Sequence, residues 1–428
     1  MKITYLFGGL FFLLISTVFA QDTVKIMQYN LLNYGNTTTY CTTTNNNIND
    51  KDTYIREIIG YIQPDILAVE EIFGINSVVE NLLNNALNQD GRTYYQNAFL
   101  TNYSGSDLCN MLYYDARKFT LYGQNAIATS LRDINIYTLY YNSPDLDVLS
   151  DTVFLNIIVM HLKAGSNASD LQIRDDMTSL LMDYLNTNNM TGNNLAVGDF
   201  NVYTSSEAAF QNLVNYSNAS LRFYDPVNRL GEWNNNSTFA NYHTQSTHSN
   251  DNGCHASGGL DDRFDFILIS NEIKNDLFKV KYVTGSYTTI AQDGNHYNGG
   301  LLDAPTNYSV PSTVLTSLYE NSDHLPVTLQ LRINQTPALG IEQQSASKSI
   351  SFTVNNPASD NIHIEFGYHR LPLDIQLFSI PGQPVIKTTA ESFTIKKDID
   401  IQHLPAGIYF LKISDGQHIS TKKILVNH

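Results

Sequence analysis

Cysteine is scarce in this chain. Three occur in 428 residues: Cys41, Cys109 and Cys254. That is too few for a disulfide framework, and it leaves room for one bridge in an oxidising compartment. Spacing does not say which pair would form it. No Cys-His ligand pattern is present, which argues against a structural zinc site. Basic charge is also short: 25 Lys and Arg stand against 41 Asp and Glu, a formal net charge of -16. From residue 335 onward 8 basic side chains face 8 acidic ones, so the rest of the chain holds 17 against 33. Such an acidic body excludes tight, nonspecific nucleic-acid binding through a basic surface. It fits a metal-dependent hydrolase that turns over, or a small substrate. Long apolar runs are missing apart from residues 6–18, which follow Lys2 and end at Val18-Phe19-Ala20. That run is too short to span a membrane comfortably and reads as a secretory signal over residues 1–20.

What is there suits two domains. From Thr23, short apolar runs alternate with helical patterns. "TVKIMQYNLL", "DILAVEEI", "CNMLYYD", "VFLNIIVMHL", "LAVGDFN", "RFDFILIS" and "PVTLQLRI" read as strands. "DTYIREIIGYIQ" reads as a helix that Pro64 ends, and "DLQIRDDMTSLLMDYLN" as a second one. Its expected inner stripe is Leu171, Ile173, Met177, Leu180, Leu181 and Tyr184, with Asp170 as cap. The mixture predicts two packed sheets with helices outside. Between Asn201 and Arg263 the composition turns polar and predicts long surface loops, either contacting substrate or decorating the rim. "NQTPALGIEQQSASKS" then reads as a linker over 334–349. Beyond it, pure alternation with turn signals predicts a small antiparallel β-sandwich over 350–428.

Polar residues collect where the strands of the body end. They are Asn30, Glu71, His161, Asp199, Asn201, Asp265, Asp323 and His324. One alone would be a turn or a cap. Eight acids, amides and histidines together suit a hard divalent cation, Mg²⁺, Mn²⁺ or Ca²⁺. In "AVGDFN" strand alternation points Asp199 and Asn201 the same way. In "EE" it turns only one of Glu70 and Glu71 into a site, and Glu71 is the expected ligand. Asn110 is expected to make a structural hydrogen bond.

"MQYNLL", "PDILAVEEI", "VMHLKAG", "AVGDFN", "RFDFILIS" and "SDHLPV" stand in the order and spacing of the endonuclease/exonuclease/phosphatase superfamily, and residues 23–333 resemble it. The resemblance implies a four-layered α/β sandwich of the deoxyribonuclease I type over residues 21–333. It implies cleavage of phosphate esters with a divalent metal, Mg²⁺ first and Mn²⁺ or Ca²⁺ also compatible. Carried over by position, Glu71 would ligate the metal, with Asn30 and Asp323 near it. Asp199 would align the attacking water, Asn201 would hold a phosphate oxygen, and His324 would act with Asp265 as its partner. His161 would lie near the leaving or phosphate oxygens. Glu70 departs from the family's usual Gln.

The tail motifs "NPASDNI", "LPAGIYFLKISDG" and "TKKILV" resemble the C-terminal sorting domain of type IX secretion substrates. That resemblance implies contact with the secretion machinery, passage across the outer membrane, and release or surface attachment without stable membrane insertion. The combined expectation is a secreted, monomeric phosphodiesterase acting on DNA or RNA. A sphingomyelinase-type phospholipase C or a phosphatase of the same superfamily is the alternative within hydrolases. A catalytically inactive surface binding module is the alternative of another class.

Overall fold

The computed structural model describes residues 21–143, 146, 152–334, 350, 352–367, 369, 371–379, 383–392, 394–416 and 419–427. The expected signal segment, and the expected linker apart from Asn334, lie outside those residues. The chain divides into two compact units, Met1–Pro337 and Ala338–His428.

Two sheets build the first unit. One takes β1 (Gln21–Tyr34), β2 (Ile66–Phe73), β3 (Tyr95–Asn97) and β4 (Leu108–Asp115). The other takes β5 (Phe119–Ile127), β6 (Ile134–Tyr141), β7 (Phe154–His161), β8 (Asn194–Asp199), β9 (Phe223–Tyr224) and β10 (Asp265–Ser270). The chain then returns to the first sheet through β11 (Val280–Tyr282), β12 (Thr288–Thr289) and β13 (Val327–Asn334). Strand orders are β11-β13-β1-β2-β4-β3, with β12 on β13, and β5-β6-β7-β8-β10-β9.

Apolar side chains on both faces of each sheet explain the layering. Ile26, Ile66, Leu112, Val159, Val197, Ile267 and Leu329 share one buried core between the sheets. The outer face of the first sheet packs against α1 (Ile48–Ile62), α2 (Asn76–Asn81) and a later helix at 312–321. The outer face of the second packs against α3 (Ala168–Thr187) and α4 (Ala208–Val214). Helix, sheet, sheet, helix is the four-layered α/β sandwich. Two short helices complete it, α5 (Asn271–Asn275) and α6 (Ser312–Asn321).

Helix α3 departs from its expected face. Leu171 and Leu180 are exposed, while Arg174, Thr178, Leu181, Met182 and Leu185 are buried. The stripe is rotated because Arg174 turns inward, donating to Glu207 at 2.7 and 3.0 Å and to the carbonyls of Lys163 and Gly165. Asp170 sits inside the first turn as the return half of a capping box whose N-cap is Asn167. The polar stretch after Asn201 is not a mere surface loop: it carries α4, β9 and the fully buried Trp233 and His243. Cys41 and Cys254 form the disulfide, and Cys109 is free and buried.

The second unit is a β-sandwich of two antiparallel sheets. Strands β14 (Phe352–Val354), β15 (Asn361–Phe366) and β18 (Lys396–Asp400) form one; β16 (Leu373–Ser379), β17 (Pro384–Ala390), β19 (Gly407–Ser414) and β20 (Ile419–Val426) form the other. Alternate residues such as Ile362, Ile364, Ile375, Leu377, Leu411 and Ile413 fill its core. β17 and β18 escape the sequence reading because their alternate positions are mostly Lys, Thr and Asp.

Candidate active site

Strand direction gathers the site. β1 runs parallel to β2, and β7 parallel to β8, so Asn30, Glu70, His161 and Asp199 all lie at carboxyl ends. β10 and β13 run antiparallel to β8 and β1, so Asp265 and the Asp323-His324 pair arrive at the same end. The register is close. Asp199 is paired with His161 on one side and with Asp265 on the other, and Asn30 is paired with Glu70. β7 and β8 approach so closely that a Cβ at Gly198 would lie 1.8 Å from the Met160 carbonyl oxygen. Only glycine fits there.

The expected one-sided "EE" pair is corrected by a bulge. Register slips between Val69 and Ile72 against β4, and Glu71 takes a left-handed φ of 59°. Both carboxylates therefore turn toward the Asp199 region. Glu71 accepts from Asn30 Nδ2 at 3.2 Å and from the Asn33 backbone N–H at 2.9 Å. Glu70 lies deeper and accepts from Gln28 Nε2 at 2.8 Å. Burial, then the neighbouring Asp265 carboxylate, pushes its acid well above the usual range. Alternation fails a second time at Asn201. β8 stops at Asp199, Asn201 is left-handed with φ 51°, and its backbone N–H donates to Asp199 Oδ1 at 3.0 Å. The Asn201 side chain donates through Nδ2 to the Leu162 carbonyl at 3.3 Å.

Asp199 is the hub. Its Oδ2 accepts from Asn30 Nδ2 at 3.1 Å and lies 3.4 Å from His161 Nε2 and 3.7 Å from His324 Nε2. Burial pushes its carboxyl up to about 7, against the pull of His324. His324 Nδ1 donates to Asp265 Oδ2 at 2.7 Å, and Gln28 Nε2 donates to Asp265 Oδ1 at 2.7 Å. Burial opposes charge on His324, but the Asp265 and Asp199 carboxylates outweigh it and hold the imidazolium well above its ordinary range. Nε2 of Gln245 lies 2.7 Å from Nε2 of His324, so the orientation of that amide follows the proton on the ring.

His161 is the opposite case. Burial, then the Arg132 guanidinium, holds its pKa well below the ordinary value. Arg132 Nη1 donates to His161 Nδ1. The neutral ring therefore carries its proton on Nε2, which faces Asp199 and, at 3.9 Å, Glu71.

Asp323 joins the cluster through Gln245, whose amide contacts both it and His324, and its carboxylate adds to the field that raises the His324 pKa. Its Oδ2 accepts from the Ala256 N–H at 2.8 Å and from Gln245 Nε2 at 3.3 Å, tying down the 245–256 loop. Asn110 donates to the carbonyls of Asp133 and Val159, a structural role. Sequence reading missed Gln28, Arg132 and Gln245. Arg132 and Gln245 lie in loops without a motif, and only the fold brings them in.

Among the described residues no group of three His, Cys, Asp or Glu side chains forms a metal cage. The donors that do converge are oxygens: Glu71 Oε1 and Asp199 Oδ2, bridged by one Asn30 amide. One or two carboxylates are what a largely hydrated Mg²⁺ takes from a protein, so the donor set fits that ion. Asn30 Oδ1 accepts from the Leu32 backbone N–H at 2.9 Å, so Asn30 aligns the two carboxylates with its nitrogen.

Residues 356–427 match the family described as a secretion system C-terminal sorting domain. The second unit thus carries an export address. Solved structures similar to the chain include two titled endonuclease/exonuclease/phosphatase family proteins. One from Bacteroides thetaiotaomicron is 12% identical with a TM-score of 0.44, covering 74% of this chain and 100% of that one. One from Bacteroides vulgatus is 12% identical with a TM-score of 0.46, covering 73% and 100%. The human Nocturnin catalytic domain with bound sulfate is 15% identical with a TM-score of 0.43, covering 73% and 96%. A search of curated proteins finds no match. Among the described residues no helix is long and apolar enough to cross a membrane.

Proposed function

We propose that the protein is a secreted, divalent-metal-dependent phosphodiesterase that cuts DNA or RNA internally after export through the type IX route. The observation that carries this is the split state of two histidines around one carboxylate. Asp265 and Asp199 favour the charged ring at His324 and burial favours the neutral ring at His161, both with Nε2 within 3.7 Å of Asp199 Oδ2. In hydrolysis a water oxygen bonds to phosphorus, the ester P–O bond breaks, and the water proton passes to Asp199 Oδ2. His324, braced by Asp265, places its Nε2–H against the charge that builds on the phosphoryl oxygens. His161 Nε2–H is a neutral donor for a second oxygen, and Asn201 for a third. Glu71 would hold Mg²⁺, which when bound polarises the phosphoryl group and stabilises charge on the leaving oxygen.

The test is a panel of supercoiled plasmid, RNA, sphingomyelin and a phosphomonoester, with and without EDTA. The expected result is open-circular plasmid or shortened RNA, abolished by EDTA and restored by Mg²⁺ or Mn²⁺. Turnover of sphingomyelin or the monoester alone would overturn the nuclease assignment, and full activity in excess EDTA the role of Glu71.

A further inference from the structure

A cavity of about 240 Å³ opens beside the site and is not used by the chemistry above. Leu32 and Ser322 line it and also belong to the site's framework: the Leu32 N–H donates to Asn30 Oδ1, and Ser322 Oγ to the Asn30 carbonyl. An occupant of this cavity therefore lies against residues that hold Asn30 in place.

Its lining combines rings and amides. His255 stacks on His248 with centroids 3.6 Å apart, and Tyr319 packs on His248 at 3.9 Å. Burial, then His255, holds His248 at about 3, so that ring is neutral. Asn321 is 1% exposed, and the Tyr29 hydroxyl is the one side-chain partner near its amide, which leaves hydrogen-bonding capacity unfilled. Oδ1 of Asn46, on the opposite wall, is also buried and unpartnered. Unpaired buried amides of this kind are costly without a ligand that pairs with them.

Charge narrows the occupant. Lys51 lines the cavity, but its ammonium is spent on the Asn321 carbonyl, and Asp50 and Glu320 face the same space. Two carboxylates against one Lys disfavour a second phosphate. A flat, uncharged group with donors and acceptors on its edge satisfies the amides and the rings together.

We infer that this cavity is a base-binding subsite, which takes the nucleobase next to the phosphate being cut. The inference rests on the phosphodiesterase reading and adds what flanks the phosphate. The occupant is a single-stranded or splayed-out base, because a paired base would not reach an enclosed pocket.

The test uses the full-length protein and a single-stranded deoxyoligonucleotide with one abasic position, cleavage being read at every phosphate. The unaltered protein is expected to cut poorly beside the abasic position. His255→Ala should lower cleavage beside normal bases by roughly 5- to 150-fold, the range for losing one base–aromatic stack, and erase the abasic contrast. Asn252→Ala, at the exposed rim, is the second variant should the first fail to fold, and is expected to reduce the same contrast. Even cutting across the abasic position, unchanged in the variants, would overturn the subsite and leave the nuclease standing. Calorimetry with deoxythymidine 5′-monophosphate against deoxyribose 5-phosphate separates the two ideas. Tighter binding of the nucleotide, lost in His255→Ala, supports the subsite whatever the enzyme cleaves; no difference between the two ligands overturns it.

Discussion

The guanidinium of Arg132 donates to Nδ1 of His161, and by doing so fixes which nitrogen of that ring carries the proton. Arg132→Ala removes both the tautomer lock and a positive charge. Without that charge the His161 pKa, now depressed, rises toward its ordinary value. Arg132 also acts on Asp199, whose carboxyl stands at about 7, so losing the guanidinium is expected to raise that acid, to move the acid limb of the kcat/KM profile to higher pH, and to lower the rate at neutral pH by about 10²-fold. An unchanged profile would show that Arg132 is only a packing residue.

Glu70 and Glu71 are expected to respond oppositely to the same substitution. Burial raises the Glu70 acid and so favours its uncharged form, of which Gln is an isostere, and Glu70→Gln should change activity by less than about threefold. Glu71→Gln removes a charged oxygen donor and should weaken Mg²⁺ binding by about 10²-fold or more. Mg²⁺ titrations of the two variants check this, and equal effects would reverse the assignment.

His324→Ala is expected to lower turnover by about 10²–10⁴-fold with the fold retained. Asp265→Asn should cost less, because the ring keeps its Gln245 contact while losing its charged partner. Near-normal turnover of His324→Ala would reject the mechanism.

Acid stability turns on a pair outside the site. Arg263 is fully buried and donates to both oxygens of Asp225, at 2.9 and 3.0 Å. Burial raises the Asp225 acid, but the guanidinium more than offsets it, and the net direction is downward. A depressed carboxylate stabilises the fold above its unfolded pKa, near 4, and loses that contribution as pH falls through the lower folded value. Asp225→Ala is expected to cost about 3–5 kcal/mol by stranding the Arg263 charge, and to flatten the acid limb of denaturant stability between about pH 4 and 2. An unchanged acid limb would sink this account.

What the sequence conveys depends on the period of the backbone. Strand-end residues such as Asp199 and His324 are legible because alternating apolar runs stop abruptly beside them. The seven strands β1, β2, β4, β7, β8, β10 and β13 follow from those runs, while β5, β6 and the short β3, β9, β11 and β12 do not. Periodicity misleads where the chain leaves it, at the Glu71 bulge and at left-handed Asn201. It misleads again on α3, where an inward Arg174 is satisfied by Glu207, 33 residues further along. Arg132 and Gln245 carry no periodic signal at all. Their roles come from loop placement, which depends on contacts remote in sequence. The Cys41–Cys254 pairing is equally remote, spanning 213 residues.

That bridge joins the turn ahead of α1 to the loop carrying His248 and His255, the two walls of the cavity beside Asn30. A thiol pair in the reducing cytoplasm stays open. The walls are clamped only once the chain has reached an oxidising space. Without the bridge the two loops are untethered, so the spacing of the cavity walls depends on the redox state of the surroundings.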